Sequence, residues 1–434
     1  MLMLVTINLI NAPSKTLLFM EYYPRKIEEK LERWLHGKEA IIIRGPRQSG
    51  KTTLLLHLKD KHGGHYVTLE DEDALRSFES ASKEFASRFL EEGGTNLFID
   101  EAQYSEKAGK VIKLLLDLFS DRLKIFVTGS GSFDVKVEIG KYLVGRAVYF
   151  ELLPLDFEEF LLWKARDLHK VFRMYREAVR EFFLDGKIID VSPAFESEFK
   201  SLLQEYLIFG GFPAIVKVDD EEMKKELLKN LVRTYMEKDV FFFFNVRQME
   251  KFRSLITYLA LNSGSLLEIS SVSRELRMDY KTIEGYISVL VSTGVINLIS
   301  PFHRNLTTEL KKSKKAYFVD TGLRNAVISN FLSIESRTDK GILLENFVLN
   351  ELKSLFADRL NYWRTTGKAE VDFVLNLEDK IIPVEVKSTA KMERGFLSFL
   401  KTYKPSQALV VSDHEFKMVE IERTKVAFIP HFFV

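Results

Sequence analysis

A buried strand that runs straight into a glycine-bounded turn and then a helix constrains this chain more than any other feature. Ala40-Ile41-Ile42-Ile43 is apolar, and Gly45-Pro46-Arg47-Gln48-Ser49-Gly50-Lys51-Thr52-Thr53 follows it, leading into Leu54-Leu55-Leu56. Gly45 and Gly50 let the backbone curl so that successive N–H groups and a helix N-terminus converge on an anion. Lys51 adds positive charge where the β and γ phosphates of a nucleotide lie, and the Thr52 hydroxyl suits a Mg²⁺ ligand. An incidental Gly-rich turn would need neither flank. The expected ligands are ATP and Mg²⁺.

The chain has 434 residues, 46% hydrophobic and 29% charged, with a formal charge of +1. That length suits two to four domains, and the charge balance gives no global basic field, so any nucleic-acid contact must be local. The absence of cysteine excludes disulfides and thiolate metal sites and fits a cytoplasmic enzyme. The apolar run Leu2 to Ile10 is too short to span a bilayer and no later segment reaches the length of a span, so no membrane role is expected. Clear organisation begins at Glu21-Tyr22-Tyr23-Pro24-Arg25, which suggests Met20 as the biological start and residues 1–20 as an extension.

Over 21–165, helical and strand periodicities alternate as a parallel P-loop sheet requires, giving an α/β fold. Strands are expected at 39–44, 65–70, 95–99, 123–127 and 147–152, with the loop's helix at 51–60. The third strand ends in Asp100 and Glu101. Since the carboxyl ends of such strands face the nucleotide, Asp100 is the expected partner of hydrated Mg²⁺ and Glu101 the general base for water. Two ordinary solvated acids are the alternative. Thr128-Gly129-Ser130-Gly131-Ser132 closes the next strand; Ser130 either senses the γ-phosphate or belongs to a plain turn. Residues 134–145 read as a helix before Gly145-Arg146.

Taken together, Tyr23-Pro24-Arg25, Gly45 to Thr53, Leu97 to Gln103, Thr128-Gly129-Ser130, Gly145-Arg146, Leu153-Pro154-Leu155, Gly210-Gly211-Phe212-Pro213 and Tyr317 to Leu323 resemble the prokaryotic AAA+-type ATPases that carry a C-terminal domain of formerly unknown function. The resemblance covers about 21 to 412 and implies ATP binding and hydrolysis. Asn96 departs from the hydrophobic residue usual in that family. By the same resemblance Arg146 is placed to reach a neighbour's nucleotide if subunits form a homo-oligomeric ring, although pairing with a local carboxylate is the alternative. Pro213 is placed to close over the adenine from a helical lid, or else simply to end a helix.

From Asp156 to about Asn262 the pattern is helical, with 166–250 expected as a lid. The run Phe241 to Phe244 is expected to be buried at a domain junction, or to bind a partner. Residues 251–332 are expected as a winged-helix domain, its spacing read over 265–300: a short helix with Ile269 and 272–276, a second over 280–292 with Asp279 as N-cap, then a hairpin of 295–299 with 316–319; a protein-docking or lid module is the alternative. His303, Arg304, Lys311, Lys312, Lys314 and Lys315 would form a basic wing for DNA, beside Lys281, Thr282 and Glu284 on the second helix.

Residues 333–434 read as helix, three strands, helix, strand, the core order of restriction-endonuclease-like nucleases. Period-two alternation puts Glu385 and Lys387 on one face, and Asp372 on the preceding strand can lie beside them. With Glu345 from the helix, these residues form a candidate metal-dependent nuclease site. A degenerate domain kept for binding, or an ordinary sheet with solvated charges, is the alternative. Three functions stay open: an Mg²⁺-dependent ATPase driving its C-terminal modules, an ATP-coupled DNA nuclease, and a nucleotide-switched signalling protein with slow hydrolysis.

Overall fold

Apolar residues in strands 40–44, 96–100 and 124–129 are buried without a polar face, so helices must cover both sides of the sheet they form. The computed structural model describes residues 22–91, 95–130, 139–187, 194–302, 313–357, 359–377, 380–387, 392–413 and 416–434. Strands β1 (Ala40–Arg44), β2 (His65–Thr68), β3 (Asn96–Asp100), β4 (Lys124–Gly129) and β5 (Ala147–Glu151) pair in parallel in the order β2-β3-β4-β1-β5. Alternate residues serve opposite cores. Ile41, Ile43, Phe98 and Phe126 pack with Leu54, Leu55 and Leu58 of helix Lys51–His62. Ala40, Ile42, Ile99 and Val127 pack with Ile112 and Leu115 of helix Ala108–Phe119. The carboxyl ends of β1, β3 and β4 therefore meet at one edge.

The stretch expected as a lid does not form a body with its own core. Phe172, Val179 and Phe199 pack with Phe347, Leu352, Phe432 and Phe433 of the C-terminal region. Leu228, Leu231 and Tyr235 instead join Phe252, Ile283 and Phe318 of the middle. The amphipathic helices there bury their apolar stripes against whichever neighbour offers a complementary face. A π-helix spans Tyr235–Phe243; of the phenylalanine run, Phe241 is 54% exposed, against the burial expected, whereas Phe244 is partly buried against the middle core.

Helix Met249–Leu261, strand β6 (Leu266–Leu267), helices Ile269–Leu276 and Tyr280–Ser292, and strands β7 (Ile296–Ile299) and β8 (Lys314–Phe318) make a small unit with antiparallel sheet order β6-β8-β7. The Asp279 side chain caps its helix by accepting from Thr282 N–H at 3.0 Å. The C-terminal region runs helix Lys340–Phe356, β9 (Leu360–Arg364), β10 (Glu370–Asn376), β11 (Ile381–Val386), helix Arg394–Tyr403 and β12 (Gln407–Ser412). Two strands missed by the sequence reading, β13 (Lys417–Ile421) and β14 (Thr424–Pro430), extend a mixed sheet ordered β13-β14-β12-β11-β10-β9.

Three regions of the chain meet where two glycine motifs interlock. Gly211 O accepts from Leu155 N at 2.8 Å, and Gly211 N donates to Asp320 Oδ2 at 2.7 Å. Gly210 has φ +74°, and a Cβ there would lie 2.1 Å from Asp320 Oδ1; one on Gly322 would lie 2.1 Å from the Phe209 carbonyl oxygen. No side chain fits at either place. Among the described residues no helix is long and apolar enough to cross a membrane.

Candidate nucleotide site and a second carboxylate cluster

The edge where β1, β3 and β4 end brings loop and acids together. Gly45 (φ +156°) and Gly50 (φ +98°) bracket the loop, and Gln48 sits between them at φ +62°. Lys51 is buried, with Nζ donating to Gly45 O at 3.0 Å and Pro46 O at 2.8 Å. Burial holds its pKa below the ordinary lysine value, against the pull of Glu101 and Asp100. Thr52 Oγ1 donates to Asp100 Oδ2 at 2.8 Å, and so does Tyr66 Oη. Thr128 Oγ1 donates to the other oxygen of the same carboxylate.

Glu101 takes a left-handed backbone, φ +54°. Its pKa is raised, first by burial and then by Asp100, with Lys51 opposing. Gln103 Nε2 donates to Glu101 Oε2, and Gln103 Oε1 accepts from Ser130 N at 3.1 Å, so one amide ties acid to hydroxyl strand. A pocket of about 280 Å³ is lined by Arg47, Gln48, Gly50, Lys51, Thr52 and Thr53 from the loop, together with Glu101, Ser130, Pro213, Ala214 and Lys217. A Cβ on Gly50 would lie 3.7 Å from Pro213 Cγ, so the expected lid proline does lie against the loop.

Several neighbours escaped the sequence reading. Arg25 Nη1 donates to Ser49 O at 3.0 Å, Nη2 to Leu153 O at 2.8 Å, and Nε to Glu159 at 3.0 Å, clamping the loop to the segment after β5. Tyr23-Pro24-Arg25 was a matched motif, but nothing in it signalled this clamp. Tyr66, Gln103 and Asp239 carried no local signal either. Arg146 lies at the amino end of β5, away from the pocket, with Nε 3.1 Å from Asp117 Oδ1. Gly131, Ser132 and residues 134–138 lie outside the described residues; the described part of the helix expected there spans Ile139–Tyr142.

In the C-terminal sheet, β10 and β11 pair Phe373 with Val384, which sets Asp372 across from Glu385. Asp372 Oδ2 accepts from Val386 N at 2.8 Å, and Lys387 Nζ lies 3.2 Å from Glu385 and 2.9 Å from Glu393. Glu385 Oε2 is buried without a partner among the described residues. Burial, then Glu345 and Glu385, push Asp372 well above the carboxylate range, and burial raises Glu385 to about 7. Glu345 Oε1 accepts from Tyr317 Oη at 2.5 Å.

Lys315 corrects the basic wing. It is buried, 2.6 Å from Glu370 and 3.4 Å from Glu345, and so points into the protein instead of outward on a wing. Alternation on β8 points it inward while Lys314 is exposed. His303, Arg304, Lys311 and Lys312 lie outside the described residues. Lys281 and Glu284 are exposed, and Thr282 is partly buried. Among the described residues no group of three or more His, Asp or Glu is arranged to hold a metal ion.

Residues 37–161 match the family model of the AAA domain, 200–335 that of a domain of unknown function (DUF8612), and 340–432 that of another (DUF4143). An uncharacterized protein of Methanocaldococcus jannaschii is 29% identical over 392 residues, covering 87% of this chain and 82% of the relative. One of Mycobacterium tuberculosis is 25% identical over 416 residues, covering 94% and 85%. Among solved structures, a signal transduction ATPase with numerous domains and a tetratricopeptide repeat sensor, from Pyrococcus horikoshii, overlays at TM-score 0.27 and 14% identity, over 77% of this chain and 45% of that one. PCH-2 of C. elegans overlays at 0.27 and 16%, over 46% and 56%. Overlays this loose say nothing further about the fold.

Proposed function

We propose that this chain, an AAA-type P-loop domain joined to a DUF4143-type C-terminal domain, is an Mg²⁺-dependent ATP hydrolase whose nucleotide state moves its C-terminal parts. The 2.8 Å bond from Thr52 Oγ1 to Asp100 Oδ2 carries this reading, because it puts the loop hydroxyl and the strand-end acid within reach of one ion. The site also fits a phosphate: Ser49 Oγ and Arg47 Nη2 are buried donors without a partner among the described residues. Bound Mg²⁺ supplies charge neutralisation at the phosphate oxygens, and Thr52 and Asp100 are the residues that would hold it.

Lys51 exchanges the Gly45 and Pro46 carbonyls for phosphate oxygens. Glu101 accepts the proton of the attacking water at its carboxylate, with Gln103 fixing its orientation and Ser130 beside it. Pro213 bounds the base end of the pocket. Arg146 belongs to the outer surface of the domain, where a neighbouring copy in a homo-oligomer would meet it. Glu101→Gln is expected to cut turnover by roughly 10²–10⁴-fold while leaving ATP affinity within about threefold. Undiminished turnover in a rapid phosphate-release assay would remove the base assignment.

The partnerless oxygen of Glu385, facing Asp372 beside Lys387, favours a second reading: metal-dependent DNA cleavage in the C-terminal sheet. The middle unit then serves as a winged helix that presents DNA. Incubation of duplex DNA with Mg²⁺ or Mn²⁺, with Asp372→Ala as control, tests it. Equal behaviour of the two proteins would exclude cleavage at this site.

A further inference from the structure

Arg47, the third residue of the loop, is held by an acid far downstream. Its Nε lies 2.9 Å from Asp239 Oδ2, with the two side chains 17% and 3% exposed. Asp239 stands in the π-helix Tyr235–Phe243, whose wide turns are marked by Phe244 N donating to Asp239 O at 3.2 Å. Such turns are uncommon and recur at functional sites.

The pair is unfinished. Guanidinium and carboxylate satisfy each other best through two parallel bonds, yet Arg47 Nη2 and Asp239 Oδ1 are both buried with no partner among the described residues. Each is a desolvated polar atom without compensation. Both atoms are left to meet a further partner.

Arg47 also lines the pocket with Lys51, Glu101 and Pro213. Burial lowers its pKa, but Asp239 first and then Glu101 more than offset this, so the guanidinium lies within the field of the proposed base. The water that Glu101 activates must approach the terminal phosphate. An arginine near Glu101 is therefore near that phosphate too, and phosphate oxygens match its planar fork.

We infer that Arg47 reads the γ-phosphate of ATP and that Asp239 is its competing anion, so that the π-helix is released from the loop only when a third phosphate is bound. This rests on the ATPase reading and names its sensor. ADP leaves the pair closed. The release has somewhere to go: Tyr235 Oη and Thr293 Oγ1 are 2.9 Å apart, and a Cβ on Gly294 would lie 3.2 Å from Pro46 Cδ. The π-helix and the loop thus bear on the same turn of the middle unit.

The test titrates the full chain with ATPγS and with ADP, in wild type, Asp239→Asn, and the double variant Arg47→Ala/Asp239→Asn, which leaves no buried charge unpaired. Asp239→Asn is expected to tighten ATPγS by about tenfold and leave ADP unchanged, because only the γ-phosphate had to displace the carboxylate. The double variant is expected to bind ATPγS no more than about threefold better than ADP. Equal shifts for both nucleotides in Asp239→Asn, or a double variant that keeps the single variant's preference, would overturn the inference. Should Asp239→Asn fail to fold, Arg47→Lys keeps a charge against Asp239 but lacks the fork; its preference for ATPγS is expected to drop at least threefold, and an unchanged preference overturns the inference equally. A wild-type chain that binds neither nucleotide would instead defeat the ATPase reading.

Discussion

Two buried lysines in different regions of this molecule lie near carboxylates, and they are held in opposite ways. Lys51 touches two backbone carbonyls, and burial lowers its pKa despite the acids nearby. Lys315 lies against Glu370 and Glu345; burial pulls it down too, but Glu345, Glu370 and Asp372 outweigh that and raise its pKa. Lys51 is thus a charge whose electrostatic complement is not supplied by the fold, which suits a ligand site. Lys315 is satisfied where it stands, stitching β8 of the middle unit to the C-terminal sheet.

That contrast can be broken by substitution. Lys51→Ala is expected to weaken ATP binding at least 100-fold while changing the urea midpoint little, since the cost of a desolvated charge is removed along with its two hydrogen bonds to carbonyls. Lys315→Met should do the reverse: nucleotide affinity unchanged, and stability reduced by about 3 kcal/mol because two partly buried carboxylates lose their cation. Equal effects on stability would collapse the distinction.

Titration sharpens it. Lysine with a raised folded pKa stabilises fully below its unfolded value near 10.4 and loses that contribution as pH climbs through the folded value, whereas a depressed lysine such as Lys51 destabilises once pH falls below the unfolded value. Alkaline denaturation of Lys315→Met should therefore begin from a lower plateau and lack part of the wild-type loss. Under the proposal that Glu101 is the general base, its carboxyl, raised by burial, must be ionised to act, so turnover is expected to rise with pH through a midpoint above the ordinary glutamate value. Glu101→Gln should abolish that limb. The smallest expected effect is at Asp279→Ala, about 1 kcal/mol from the lost helix cap, read by thermal melting with nucleotide affinity unaltered.

The same contrast explains what could be read from the sequence. The candidate nucleotide site is built from short contiguous segments at strand ends, so the juxtaposition of Gly45 to Thr53 with Asp100-Glu101 is legible from type and spacing. The pairing of Asp372 with Glu385 was legible for a similar reason, since a hairpin's register is local. Lys315 was not: its inward turn depends on β8 pairing with β7 and β6 and then packing on a helix and strand from another region. Asp239 likewise reaches Arg47 across 192 positions of chain. Where the helices of 166–250 pack was not legible, because helical periodicity reports that a stripe will be buried, not against what. Strands β13 and β14 lie beyond the helix, three strands, helix, strand order expected for 333–434, which ends at β12.

The glycine interlock at 210–211 and 322 bears on how such a molecule can work. With Leu155, Phe209 and Asp320 in direct backbone-to-backbone or cap contact there, sliding by even one methyl width would collide. Sliding of the later regions past the segment that follows β5 is therefore blocked at this joint, which leaves rotation about it as the less obstructed displacement.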